Sequence, residues 1–186
     1  MTRWAPDAAL RLEHAATELM EEQGYGPTTV PQIATRAGLT TRTFFRHFAD
    51  KREVLFLRDR EFPEVVARAL ADFPDDIAPS ALVEQGLEVA VAPLEEWRDG
   101  VSRRRALVRS EDRLRERELL KSARLSDAVA SALTSRGVAT LDARLLAALS
   151  VVVFDTALDE WLDSTDGTPL ASHLRATWIR VRSLSR

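Results

Sequence analysis

Residues 28–55 read TTVPQIATRAGLTTRTFFRHFADKREVL, and this stretch decides the fold of the N-terminal part of the chain. It holds two signals for a helix start, separated by one short turn. Thr29 and Gln32 have the spacing of a capping box. Gly38 ends that helix, and Thr40 can cap the next one at once. Two short helices joined by a tight turn, with a third packed behind them, are typical of a helix-turn-helix.

Further helices are predicted on both sides of this pair. Before it, residues 7–23 carry apolar side chains at spacings of three and four, and Gly24 stops them. After it, Asp50 and Glu53 have the spacing of a second capping box, which predicts a longer helix through Leu57.

Positive charge is concentrated in the same segment. The chain has a formal net charge of −3, yet residues 28–52 contain five basic side chains and one acidic one, a net +4 that leaves −7 for the remainder. Such asymmetry suggests one surface that meets an anion. Charge alone leaves a second interpretation open, a charged face that is merely solvated.

The rest of the chain predicts helices and no strand, so the fold expected is all-α, with about nine helices. In the helix expected at residues 80–98, Pro93 should distort the backbone, and Asp99-Gly100 should end the helix. The helical segments expected after residue 60 are 63–73, 80–98, 103–136, 142–162 and 168–184.

The helix that starts after Thr40 carries side chains that suit a major groove, because an α-helix fits this groove and its exposed N-terminal residues can reach base edges. The residues so placed are Thr40, Thr41, Arg42 and Thr43. Arg42 can donate two hydrogen bonds to one guanine, whereas Phe44 and Phe48 are expected to pack inward.

Phosphate contacts are expected from Thr29, His47 and Lys51. A cation at a helix start such as Lys51 is locally unfavourable, and a nearby phosphate would reverse that penalty. The alternatives are structural: Thr29 and Thr40 as helix caps, and His47, Arg36 and Arg46 as ordinary surface side chains.

The stretch resembles the DNA-binding domain of the TetR family of bacterial transcriptional regulators. The resemblance covers about residues 8–58, with T-T-hydrophobic, Ala-Gly-hydrophobic-Thr and T-F-x-R-H-F-x-x-K in the family's order and spacing. It implies a homodimer with two recognition helices in successive major grooves of a palindromic operator, and repression relieved by a small ligand. Phe45 stands where the family often has a phosphate-binding tyrosine, so we count it among the DNA-binding residues. Because it lacks the hydroxyl, we expect weaker backbone anchoring, or a substitute contact from Thr43 or His47.

On this basis, residues 1–58 are expected to form the helix-turn-helix DNA-binding domain, and residues 59–186 the ligand-binding and dimerisation domain. Helix 142–162 is apolar nearly all round, so we expect a second subunit to cover part of it in a four-helix bundle with the last helix. A monomer core is the alternative. The predicted interface residues are Leu149, Val153, Trp161, Leu174, Trp178 and Val181.

Residues 103–162 further resemble a TetR subgroup described as binding acyl-CoA-like ligands, related to mycofactocin-type regulators. This resemblance implies a largely apolar pocket, with an arginine among Arg103, Arg104, Arg105 and Arg109 to receive phosphates. The predicted pocket residues are Trp97, Leu107, Arg109, Leu125, Val129 and Phe154. For each of them, core packing or a solvated face is the alternative.

Composition and motifs narrow the function classes. The three histidines are scattered, and no metal-ligand spacing, glycine-rich phosphate loop or nucleophile–base pair is visible, so we expect no enzyme activity, no metal and no cofactor. No run approaches the length of a membrane span, and the absence of cysteine suits the cytoplasm. The expected function is a ligand-responsive repressor; the alternative is a DNA-binding helical regulator controlled by a protein partner, or by no small effector.

Overall fold

In the computed structural model, which describes residues 5–57 and 62–184, the chain forms nine α-helices and no strand. The helices are α1 (Ala5–Gln23), α2 (Val30–Arg36), α3 (Thr41–His47), α4 (Phe62–Ala71), α5 (Pro79–Val91), α6 (Arg98–Ser110), α7 (Asp112–Ser135), α8 (Thr140–Asp163) and α9 (Leu170–Leu184). Two 3₁₀ helices span Glu53–Phe56 and Ala92–Trp97. The predicted all-α fold is confirmed. None of the helices described is long and apolar enough to cross a membrane.

The chain divides into two compact units. The first comprises the described part of Met1–Arg60 together with Gly100–Glu118, and the second comprises the described part of Glu61–Asp99 and Leu119–Arg186. Helices α6 and α7 therefore each contribute residues to both units. The expected boundary near residue 58 took no account of residues 100–118, which return to the first unit.

A single apolar core holds the first unit together. Leu12 and Met20 of α1 pack with Ile33 of α2 and Phe44 of α3, and all four side chains are buried. The same core takes in three residues from the α6–α7 region: Leu107, Val108 and Leu114. The core of the three helices thus includes side chains that lie 60 or more residues after the end of α3 at His47.

The turn between α2 and α3 depends on Gly38. Its φ of +64° lies in the left-handed region, where a side chain is disfavoured. The N–H of Gly38 donates to the carbonyl of Thr35 at 2.9 Å, and that of Leu39 donates to the carbonyl of Ala34 at 2.8 Å. Arg11 of α1 donates to the carbonyl of Ala37, so a Cβ at Gly38 would lie 2.8 Å from Arg11 Nη2.

In the second unit, α5 lies among α4, α8 and α9. Gly86 allows the close approach of α4, because a Cβ there would lie 2.5 Å from Cδ2 of the buried Leu70. Two arginines bind carbonyls at helix ends. Arg98 donates to the carbonyls of Trp161 and Leu162 near the end of α8. Arg136 donates to the carbonyls of Leu70 and Phe73 at and just beyond the end of α4.

Two local predictions were wrong. The expected helix from Asp50 to Leu57 is a 3₁₀ helix limited to Glu53–Phe56. Asp50 does accept the N–H groups of Arg52 and Glu53 at 2.8 and 3.2 Å, but the Glu53 side chain bonds Arg117 instead of returning to Asp50. The expected break at Asp99-Gly100 lies inside the first turn of α6. An acidic residue suits a helix start, and one glycine in a helix costs only about 1 kcal/mol.

Candidate nucleic-acid interface

Two threonines begin the paired helices, as predicted. Thr29 and Gln32 form the complete capping box of α2, with the Thr29 N–H donating to Gln32 Oε1 at 2.8 Å. Thr40 caps α3 by accepting the Thr43 N–H at 3.1 Å, and the two hydroxyls lie 3.0 Å apart. These bonds fix where each helix starts, so the side chains that follow Thr40 have set positions.

Helix α3 has two different faces. Phe44 is fully buried, and Phe48, just beyond the helix, is buried with its ring centre 5.4 Å from that of Phe44. The inward packing predicted for both is confirmed. Four side chains of the other face reach solvent: Thr41, Arg42, Phe45 and Arg46.

The cations of this segment differ in their partners. Arg36 donates two 2.8 Å hydrogen bonds to Glu22, which raise the pKa of Arg36 and lower the pKa of Glu22. Arg52 is bound to Asp50, with its Nη2 2.6 Å from Oδ2. The charge of these two arginines is therefore largely compensated within the protein.

Arg42 and Arg46 are not compensated in this way. Within residues 5–57 and 62–184, Arg42 has no hydrogen-bond or ion-pair partner, and Arg46 has no carboxylate partner. The Nη2 of Arg46 lies 3.5 Å from Nε2 of His47, which places that histidine on the same surface. Of the four arginines in residues 28–52, the two without a carboxylate partner in the described structure thus both lie on α3.

Lys51 is held by backbone carbonyls. Its Nζ donates to the carbonyls of Tyr25, Gly26 and Thr28 at 2.7, 3.1 and 2.9 Å, and lies 4.1 Å from the centre of the Tyr25 ring. Burial lowers the pKa of Lys51. An ammonium group has three N–H donors, so these carbonyls occupy all of them. A phosphate contact by Lys51 requires the exchange of one of these bonds, and it stays a prediction.

The first unit also contains a cluster of arginines and glutamates. Arg104 Nη2 lies 2.7 Å from Glu118 Oε2, and Arg117 Nε lies 2.7 Å from Glu53 Oε1. Both guanidinium groups lie against the ring of Phe56, 5.0 and 5.6 Å from its centre. Sequence reasoning missed this cluster because its members lie far apart along the chain and no local spacing connects them.

The arginines that the sequence offered for effector phosphates have partners of other kinds. Arg103 lies 3.9 Å from Glu21, and Arg104 and Arg105 both pair with Glu118. Arg109 is exposed near the end of α6. Leu107 is part of the apolar core of the first unit.

Part of the first unit is similar to a known protein family. Residues 13–57 match the family described as bacterial regulatory proteins, tetR family. Over these residues the chain matches the TetR-family domain. The TetR-family domain comprises the second half of α1, the helices α2 and α3, and the first 3₁₀ helix.

Two characterised regulators are similar to the TetR-family domain. The HTH-type transcriptional regulator HbdR of Aromatoleum sp. (strain CIB) is 49% identical over 43 residues, which are 23% of this chain and 19% of HbdR. The HTH-type transcriptional regulator TcmR of Streptomyces glaucescens is 54% identical over 44 residues, 24% of this chain and 20% of TcmR. The matched segment therefore spans about a fifth of each relative's length.

Solved structures are similar to nearly the whole chain. FadR from Bacillus subtilis, in complex with stearoyl-CoA, has a TM-score of 0.62 at 19% identity and covers 90% of this chain and 94% of its own. Thermus thermophilus FadR, a TetR-family transcriptional repressor in complex with lauroyl-CoA, has a TM-score of 0.56 at 24% identity and covers 91% of each chain. At these identities the likeness shows the fold.

The remaining predicted residues lie outside the TetR-family domain, mostly in the second unit. Four of the predicted pocket residues belong to that unit: Trp97, Leu125, Val129 and Phe154. Phe154 packs against Phe62 with ring centres 5.3 Å apart. Four of the predicted interface side chains are buried within the same unit: Val153, Trp161, Leu174 and Trp178. Leu149 and Val181 are half-buried.

Proposed function

We propose that this chain is a repressor that binds a palindromic operator as a homodimer and is released by an acyl-CoA-like or other small hydrophobic effector. The observation that carries the DNA-binding part is the outer face of α3. Its arginines have no carboxylate partner in the described structure, whereas Arg36 and Arg52 close by are paired. An exposed helix with guanidinium groups that no carboxylate holds suits the major groove, where arginine reads guanine through two hydrogen bonds.

The dimer part of the proposal rests on α8. Leu141, Leu145 and Val152 are between 60% and 67% exposed, and their spacings of four and seven residues place them on one face of the helix. Ile179 adds an exposed apolar side chain on α9, which packs beside α8. We place the interface on these exposed side chains, because Val153, Trp161, Leu174 and Trp178 already have their contacts inside the subunit.

The effector part rests on the interior of the second unit. Leu125 and Val129 of α7 are buried and apolar. Two buried nitrogens of α9, Nε2 of His173 and Nε1 of Trp178, have no hydrogen-bond partner among the described residues. An unsatisfied buried polar group costs about 1–3 kcal/mol, so a bound acceptor would relieve the Trp178 N–H. An acyl-CoA combines a long apolar chain with carbonyl oxygens, and the FadR complexes with stearoyl-CoA and lauroyl-CoA show such ligands in proteins of this fold.

The first experiment selects DNA. The purified chain is mixed with fragments of its own genome, bound fragments are sequenced, and the affinity for a duplex of the enriched motif is measured at a fixed salt concentration. We expect a palindromic motif with half-sites about one helical turn apart. Binding with a steep salt dependence and no preferred motif would contradict a repressor with an operator, since phosphate contacts carry no sequence information.

The second experiment tests the effector. Lauroyl-CoA and stearoyl-CoA are titrated into the protein–operator complex, with free CoA and lauric acid as matched controls. We expect release by the acyl-CoA and little release by either control, and weaker release in Trp178→Phe, which keeps the ring and removes the N–H. If no acyl-CoA changes the affinity for DNA, the proposed effector class is wrong, and control by a protein partner takes its place.

A further inference from the structure

Among the described residues of α3, Phe45 is the only apolar side chain that is exposed to solvent. It is 59% exposed, although a phenylalanine gains free energy when it is buried. Its neighbours on the outer face, Thr41, Arg42 and Arg46, are polar and suit water. Phe45 therefore offers an apolar surface that a partner bound to this face would cover.

The ring of Phe45 is held in a defined orientation. It meets the ring of Phe44 edge to face, with centres 5.5 Å apart and planes at 82°. Phe44 is fully buried and in turn contacts Phe48. An exposed ring that rests on a buried one loses little conformational freedom when a partner binds, which favours a specific contact.

Phe45 lies in the middle of the face that would meet DNA. It follows Thr41 by four residues and Arg42 by three, so these three side chains are neighbours on one side of the helix. If Arg42 contacts a base in the groove, Phe45 therefore meets a group of the DNA within about one helical turn of that base.

The chemistry of the ring narrows that contact. Phenylalanine has no hydrogen-bond donor or acceptor of the ordinary kind, so it cannot bond a phosphate or a polar base edge. Among the base pairs, the major groove presents one apolar group, the C5-methyl of thymine. We infer that Phe45 reads a thymine methyl in each half-site, next to the base read by Arg42. This inference rests on the proposed operator binding.

The test removes the methyl from DNA and the ring from the protein. In the selected operator duplex, each thymine of one half-site is replaced in turn by deoxyuridine, which differs only by the missing methyl. The affinities of the wild type, Phe45→Ala and Phe45→Leu are measured by fluorescence anisotropy at one salt concentration. Thermal unfolding of each variant checks that the fold is retained.

We expect one deoxyuridine position to weaken wild-type binding about fourfold, the effect of one methyl group. The same substitution should change the affinity of Phe45→Ala by less than about 1.5-fold, because the partner of that methyl is gone. Phe45→Leu keeps an apolar side chain and should keep part of the response.

Two results would overturn the inference. One is a wild type that no deoxyuridine position weakens, which would place the ring against sugar or backbone. The other is a position that weakens the wild type and Phe45→Ala equally, which would show that DNA shape carries the effect. In both cases the wild type still binds its operator, so the proposed function stands. A wild type that selects no DNA would contradict both proposals.

Discussion

Arg42 and Arg36 have the same charge but different surroundings. Arg42 has no partner among the described residues, whereas Arg36 is bound by Glu22 through two hydrogen bonds. We expect Arg42→Ala to lose about 1–3 kcal/mol of discrimination at one base position, the value of a bidentate contact to guanine. Arg36→Ala is the matched control and should leave the base preference unchanged, since an exposed ion pair contributes at most about 1 kcal/mol to stability.

Binding-site selection with both variants gives the readout. An information content that drops at one position for Arg42→Ala alone supports the contact. If instead the base preference of Arg42→Ala matches that of the wild type, Arg42 serves only as a general cation. If Arg36→Ala changes the preference, the ion pair with Glu22 does not persist on DNA.

Lys51 has two possible roles, a contact to a DNA phosphate or a structural contact to backbone carbonyls. The sequence predicts a phosphate contact, while the structure gives all three ammonium hydrogens to the carbonyls of Tyr25, Gly26 and Thr28. Hydrogen bonds to a charged group contribute about 1.5–3 kcal/mol, so we expect Lys51→Ala to lower the free energy of unfolding by an amount in this range. The measurement is chemical unfolding of the full chain.

The salt dependence of DNA binding separates the two accounts for Lys51. If the carbonyls keep Lys51 when DNA is bound, the slope of log affinity against log salt stays unchanged in Lys51→Ala. A slope reduced in magnitude by about 0.9, with unfolding as in the wild type, would instead assign Lys51 to a phosphate.

At the scale of elements, the start of the first 3₁₀ helix depends on Asp50. Burial raises the pKa of Asp50, but hydrogen bonds from the Arg52 guanidinium and from the N–H groups of Arg52 and Glu53 outweigh it and hold the pKa below its ordinary value of 3.8. A carboxyl with a lowered pKa stabilises the folded state above the ordinary value, and this stabilisation is lost as the pH falls below it.

Two substitutions at Asp50 make this measurable. We expect Asp50→Ala to lower the free energy of unfolding at pH 7 by about 0.5–2 kcal/mol, the usual effect of losing a cap. Its stability should also fall less than that of the wild type as the pH is lowered below 3.8. Asp50→Asn keeps an acceptor oxygen without the charge, so it should retain part of the stability at pH 7 and share the weaker pH dependence. Equal pH profiles for all three proteins would exclude this role.

Local elements could be predicted where their signals are local. The capping box of Thr29 and Gln32, the cap at Thr40 and the end of α2 at Gly38 each depend on residues a few positions apart, and all were predicted. The 3₁₀ helix after Asp50 was not predicted, because the Glu53 side chain bonds Arg117, 64 residues away. A distant partner of this kind decides an element without leaving a local pattern.

At the scale of the whole molecule, the exposed face of α8 predicts the oligomeric state. Leu145 and Val152 are exposed and apolar, so a carboxylate at either place would be buried without a partner in a dimer. We expect the double variant Leu145→Glu, Val152→Glu to be a monomer by sedimentation, with the helical content of the wild type by circular dichroism. Leu119→Glu, at an exposed site on α7, is the matched control and should remain a dimer.

DNA binding by the same variants connects the interface to function. The double variant should bind a full operator much more weakly than the wild type, because two linked half-sites gain from a high effective concentration. A double variant that stays dimeric would place the interface elsewhere on the chain. A wild type that is monomeric at all concentrations would contradict the proposed homodimer.

The all-α class, the paired helices, and the inward and outward faces of α3 could all be predicted without the structure. Helix starts, helix stops and apolar spacing act over a few residues and can be recognised without the rest of the chain. The same residues carried the resemblance to the TetR family, which the match over residues 13–57 supports.

Tertiary structure alone decided which charges are available and which apolar side chains are covered. Only folding brings Glu22 to Arg36, three carbonyls to Lys51, and Leu107, Val108 and Leu114 into the core of the first unit. It also buries Trp161 and Trp178 within the subunit while Leu145 and Val152 stay exposed. The hydrophobicity of a side chain indicates that it favours burial. Which surface buries it depends on how distant helices pack, and no short stretch of sequence encodes that packing.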